Sequence, residues 1–115
     1  MDKKYSFYFD GVLVELQTKA ADKKMILSST VFFDKEGISP SVEQCVVLKS
    51  LPKSENNFQY LSFGKENRNV ALKQEVPLYL YRSMKKLIYV FSASVKKWRT
   101  VLKNLSTQDF VSSIK

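Results

Sequence analysis

The sequence predicts a mainly β (α+β) fold: an antiparallel sheet of six to eight strands, curled into a barrel or sandwich and closed by a C-terminal amphipathic α-helix. Three observations lead there. Asp10-Gly11 sits between two alternating runs, which is a strong short-range hairpin signal because a type I′ turn needs positive φ at both central residues. Further short runs rich in β-branched and aromatic residues follow, each stopped by a turn-type cluster. Near the end the spacing changes, with Val95, Trp98, Leu102 and Leu105 falling on one helical stripe. A chain of 115 residues with 44% hydrophobic content fits one domain, 1–115, with a helical segment over about 94–115. Aromatic residues are plentiful and Gly and Pro scarce, the opposite of a disordered composition.

The first two strands carry their own register. Tyr5 to Phe9 and Val12 to Leu16 alternate about Asp10-Gly11. Phe9 is therefore expected opposite Val12, Phe7 opposite Val14 and Tyr5 opposite Leu16 on an apolar face. Ser6 then meets Glu15 and Lys4 meets Gln17 on a wet one. A polar loop, Thr18 to Lys24, leads to a strand over Met25 to Phe33 that ends at Asp34-Lys35-Glu36-Gly37. Ser39-Pro40-Ser41 allows a single helical turn, since Pro is tolerated at the first helical position. Gln44 to Leu51, dense in β-branched residues, reads as a strand ending at Pro52, with a loop over Pro52 to Asn57. Phe58 to Phe63 is a further strand, Gly64 to Asn69 a turn and Val70 to Lys73 a short strand.

Pro77 to Leu105 supports two readings. Leu80, Met84, Leu87, Phe91, Val95, Trp98, Leu102 and Leu105 recur at spacings of three and four, as in one long helix. Leu78 to Tyr81 and Leu87 to Phe91 are instead dense in strand-favouring residues, and Ser92-Ala93-Ser94 is a natural helix start. The second reading is preferred: a hairpin turning at Arg82 to Lys85, then a helix from about Val95 to Leu105. Ser106-Thr107-Gln108-Asp109 reads as the N-terminus of a last helical turn, a capping-box variant with Asp in place of Glu.

The formal net charge of +8 has a single source. Met1 to Asn67 is balanced, as is Asn104 to Lys115, whereas Arg68 to Lys103 holds nine basic residues against Glu75 alone. On the expected helix Lys96, Arg99 and Lys103 share one face with Lys97 beside it. In the expected hairpin Arg82 lies beside Lys85, and Tyr81 and Tyr79 share a face with Lys86. Clustered cations neutralise phosphates with release of counterions, and tyrosines stack on unpaired bases. The expected nucleic-acid-binding residues are therefore Arg82, Lys85, Lys86, Lys96, Lys97, Arg99, Lys103, Tyr79 and Tyr81. Trp98, on the apolar stripe, reads as a core anchor.

The side-chain inventory narrows the chemistry. With no histidine there is no imidazole base, and with one cysteine, Cys45, there is neither an internal disulfide nor a structural zinc site. Cys45 stands in an apolar run, as a small buried thiol does in a reducing compartment. Gly11, Gly37 and Gly64 are isolated, so no phosphate-cradling loop is present. No signal peptide or bilayer-length apolar stretch is visible, and a cytoplasmic location is expected. Neither enzymatic activity nor a cofactor is expected.

The segment Leu87-Ile88-Tyr89-Val90-Phe91-Ser92-Ala93-Ser94, leading into a helix that carries Trp98, resembles the end of pleckstrin-homology domains. There a final strand runs into a helix whose Trp seals a bent sheet. The resemblance implies that Gly11-Val12-Leu13 begins a first strand, with Lys19, Lys23 and Lys24 in a lipid-binding loop. Trp98 follows Ala93 about one helical turn sooner than in that pattern, and the paired basic residues of its second strand are absent after Met25, so no family is assigned. A compact PUA-like or OB-like barrel accommodates the same element order. The leading expectation is a small non-enzymatic binding protein for single-stranded nucleic acid, RNA first. The alternatives are a protein- or anionic-lipid-recognition module of pleckstrin-like shape and a regulator docking on an acidic protein partner.

Overall fold

A computed structural model of the chain describes residues 3–50 and 59–114. Strands β1 (Lys3–Phe9), β2 (Val12–Lys19) and β3 (Lys24–Phe33) precede helix α1 (Pro40–Leu48). Strands β4 (Gln59–Phe63) and β5 (Asn69–Pro77) follow, and a 3-10 segment over Leu78–Ser83 leads into the 30-residue helix α2 (Met84–Ser113). The five strands form one antiparallel sheet in the order β1-β2-β3-β5-β4.

The β1–β2 hairpin forms in the register its alternation dictates: Phe9 pairs with Val12, Phe7 with Val14, Tyr5 with Leu16, Ser6 with Glu15 and Lys4 with Gln17. Its turn has φ of 51° at Asp10 and 78° at Gly11, the two positive values that a tight two-residue turn requires. Beyond it β2 and β3 pair only as far as Glu15 and Ser28. Where they part, the Ser29 hydroxyl donates to the Leu13 carbonyl at 2.7 Å in place of a ladder bond. On the other side of β3 the register with β5 shifts between Thr30 and Phe32, a bulge that lets Val31 still point inward.

All the apolar alternate positions turn to the same side. Val12 and Val14, Met25 and Leu27, Val70, Leu72 and Val76, and Leu61 are buried, and α2 lies over them. Its contacts are Met84, Leu87, Ile88, Phe91, Val95, Trp98, Leu102 and Leu105, which recur at three and four residues as one continuous stripe. The described residues extend over 53 × 26 × 25 Å. Thirty helical residues rise about 45 Å, so α2 sets the long dimension.

Three sequence expectations change. The hairpin turning at Arg82–Lys85 is absent: Leu78–Ser83 is 3-10 and Met84 begins a helix that passes unbroken through Ser92-Ala93-Ser94 and Ser106. The long stripe prevails because burying eight positions against one sheet outweighs local strand propensity, and no Gly or Pro breaks the run. Of the strand expected over Gln44–Leu51, Gln44–Leu48 belongs to helix α1, whose Val42 and Val46 stand one turn apart and are fully buried, and Leu51 lies outside the described residues. With those segments helical, the sheet has five strands among the described residues and stays open, without closing into a barrel or sandwich. The β-rich character and the C-terminal helix stand. The loop expected over Pro52–Asn57 lies outside the described residues.

Helix α1 is capped from a distance. Its flanking Ser39 makes no side-chain cap bond. Instead the Asp109 carboxylate, from the last turns of α2, accepts the Ser41 backbone N–H at 2.8 Å and the Ser41 hydroxyl at 2.6 Å. A carboxylate at a helix N-terminus satisfies an orphan donor and complements the helix dipole. The two Ser41 bonds hold the Asp109 pKa below its ordinary value.

Two predictions follow from this packing. Phe91 is fully buried between α2 and the sheet, so Phe91→Ala should cost about 3–5 kcal/mol in urea unfolding; a cost below about 1 kcal/mol would show that α2 does not pack through this stripe. A carboxylate with a lowered folded-state pKa stabilises the fold above its unfolded pKa and ceases to do so as pH falls through the folded value. Asp109→Asn should therefore lower the unfolding midpoint at pH 7, and the gap to the parent should close toward pH 3. A gap independent of pH would exclude the clasp as its cause.

Candidate functional site

Because both helices cover one face of the sheet, the other face is left as a mostly polar surface made of the remaining alternate residues, with Leu13 and Ile26 among them. Its cross-strand rows follow from the registers. One runs Ser6, Glu15, Ser28, Lys73, Tyr60, from β1 to β4; the next runs Lys4, Gln17, Ile26, Glu75; a third holds Lys19, Lys24 and Pro77. The rows line a trough of about 310 Å³ that carries four lysines and two glutamates, with Ile26 in its floor.

The charges in the trough are partly spent on each other. Lys4 bonds Glu15 at 3.0 Å and Lys24 bonds Glu75 at 3.1 Å, both on the diagonal between rows. The bond to Glu75 raises the Lys24 pKa above its ordinary value against the opposing effect of burial. Burial, reinforced by Glu75 and partly offset by Lys24, pushes the Tyr60 phenol up, so Tyr60 remains a neutral hydroxyl able to donate. Lys19 and Lys73 have no ion-pair partner among the described residues. The trough thus offers two ammonium groups and the Ser28 and Tyr60 hydroxyls to a ligand that accepts hydrogen bonds.

The nine residues expected to hold nucleic acid all lie elsewhere, on the 3-10 segment and α2. Tyr79, Tyr81, Arg82, Lys85 and Lys86 are exposed around the start of α2. Farther along, the helix turns its cations to different tasks. Lys96 pairs with Asp10 at 2.6 Å and Tyr89 meets Phe9 edge-on at 6.3 Å, so both fix the β1–β2 hairpin to α2. Arg99 donates to the Thr30 carbonyl at 3.3 and 3.4 Å, beside the β3 bulge. Lys97 lies toward β4 with its ammonium 6.0 Å from the Trp98 ring, and Lys103 is exposed. Trp98 packs on the core as expected of an anchor.

Lys73, Tyr60 and Ser28 were not singled out by the sequence. Alternation marks each as an outward position of its strand, but only the β3–β5 and β4–β5 pairings place them side by side. Cys45 is half-buried, and burial pushes its thiol up, which suits an unreactive packing residue. Among the described residues no cluster of three or more Cys, Asp or Glu side chains is placed to hold a metal ion. Among them, too, no helix is long and apolar enough to cross a membrane.

No protein-family model matches the chain, and no curated protein matches its sequence. Among solved structures, the fold is similar to a chain from the structure of the HopA1-SchA chaperone–effector complex, with a TM-score of 0.65 over 84% of this chain and 75% of that one. Sequence identity is 16%, so the likeness is one of fold.

Replacing Glu75 by Gln removes one of the causes that raise the Tyr60 pKa. In Glu75→Gln, the Tyr60 ring resonances followed by NMR should titrate at lower pH than in the parent. An unchanged midpoint would place Glu75 too far away to act on the phenol.

Proposed function

We propose that this chain is a non-enzymatic protein-recognition module that receives a segment of a partner protein on the uncovered face of its sheet. The observation that carries this reading is the fold it shares with a chain of a complex between a chaperone and an effector protein. The trough supplies the place: a concave surface of hydrogen-bonding groups on a sheet whose other face is occupied by helices. Its lone, half-buried thiol suits a reducing, cytoplasmic setting.

Binding of RNA or single-stranded DNA has less support, since it rests on a continuous row of cations along one helix face. Lys96 and Arg99, the middle of that row, hold the hairpin and the bulge of this same chain. The lipid-headgroup reading drew on the Lys19–Lys24 loop, where Lys24 is paired with Glu75.

A photocrosslinking residue at Ile26, in the trough floor, tests the reading against one at Lys103, on the exposed side of α2. In the cells that make this protein, Ile26 should give discrete adducts that are destroyed by protease and indifferent to nuclease, and Lys103 should not. Nuclease-sensitive adducts, or protein adducts from Lys103 alone, would overturn it.

A further inference from the structure

Resting on the reading of the chain as a protein-recognition module, we propose that the partner segment is acidic and extended, and crosses the trough with its carboxylates on Lys73 and Lys19. Among the described residues, both carboxylates that line the trough are already engaged: Glu15 by Lys4 and Glu75 by Lys24. What remains for a visitor is positive charge and hydroxyl donors. Lys73 stands between Ser28 and Tyr60 in one cross-strand row and all three line the trough, so an ammonium flanked by hydroxyl donors faces a visiting carboxylate. Lys19 lies four residues along β2 from Glu15, the residue of that same row, and two strands from Lys73.

The spacing selects the form of the ligand. Strands about 4.8 Å apart and a rise of about 3.3 Å per residue set the Lys73 and Lys19 backbones roughly 16 Å apart on the diagonal. Carboxylates four residues apart in an extended segment lie about 13 Å apart and point to one face, and the reach of the two lysine side chains covers the difference. The distribution of charge favours a peptide over a nucleic acid. A continuous phosphate backbone would pass over Glu15 and Glu75, whereas isolated carboxylates can alternate with uncharged side chains above them. Tyr60 is also the one aromatic residue among the described residues that line the trough, too few for successive bases to stack.

The probe is a fluorescein-labelled ten-residue peptide in which aspartate alternates with serine, beside its asparagine counterpart, measured by anisotropy at physiological salt. The aspartate peptide should bind at least tenfold more tightly than the asparagine one. Lys19→Gln with Lys73→Gln should weaken binding at least tenfold, while Lys73→Arg alone retains it. Lys85→Gln with Lys86→Gln removes the same charge from the exposed start of α2 and should change affinity less than twofold. Lys85 and Lys86 are exposed and Lys19 and Lys73 half-buried, and matched circular dichroism and melting curves check that each variant is folded.

Equal losses in the two double variants would reduce the effect to net charge and overturn the proposal. So would a single-stranded RNA ten-mer that binds more tightly than the peptide and loses affinity on the Lys19 and Lys73 changes. If Ile26 crosslinks to protein but the aspartate peptide does not bind, the acidic segment is wrong while the module stands. If the Ile26 crosslink to protein fails as well, the module itself is wrong.

Discussion

The packing of one apolar stripe of α2 against one face of the sheet is the constraint on which the other features depend. It places Phe91, Val95 and Leu102 over the inward residues of the sheet and so gives the chain a single core. Because both helices lie on that side, they leave the other face of the sheet open, and its outward positions are mostly polar. The uncovered trough and the buried core are two outcomes of the same arrangement. Were α2 broken into a hairpin and a short helix, the strands at Leu78–Tyr81 and Leu87–Phe91 would need pairing edges, and the open face would be a different surface.

What the sequence made legible was local. Asp10-Gly11 and the alternation around it define the first hairpin residue by residue, because turn chemistry and a period of two act over a dozen neighbouring positions. Met25–Phe33 was readable for the same reason, its observed start differing by one residue, and so was the described part of Phe58–Phe63, Gln59–Phe63. The errors lie where a short apolar run satisfies two periods at once. Gln44–Leu48 and Leu87–Phe91 both look like strands in isolation, and both are helical because the faces they bury are decided by distant partners. Pairing of β3 with β5 across α1 and β4 has no local signal either, and it is this pairing that assembles Ser28, Lys73 and Tyr60.

Charge proved a poorer guide to position than to quantity. The excess of +8 does arise between Arg68 and Lys103, yet its members serve separate purposes once folded. Lys96 and Arg99 tie the hairpin and the bulge to α2, Lys73 faces the trough, and Arg82, Lys85 and Lys86 remain in solvent. Two of the trough's four lysines, Lys4 and Lys19, come from the first two strands, within the part of the sequence that is neutral overall. Local neutrality in the sequence is compatible with an unbalanced surface in the fold, because the strands sort their residues between two faces and their acidic residues are consumed in pairs.

The clasp between Asp109 and Ser41 joins residues 68 positions apart and supplies the cap that α1 lacks locally. Its consequence is temporal. During synthesis, α1 leaves the ribosome well before its capping carboxylate, at a time when both the Ser41 N–H and the face formed by Val42 and Val46 are without partners. A nine-residue helix is marginal by itself, below the roughly 12–15 residues at which isolated helices begin to persist in water. The cap of helix α1 is thus completed only once the end of α2 has been made, so the order in which the chain is made differs from the order in which its helix ends find partners.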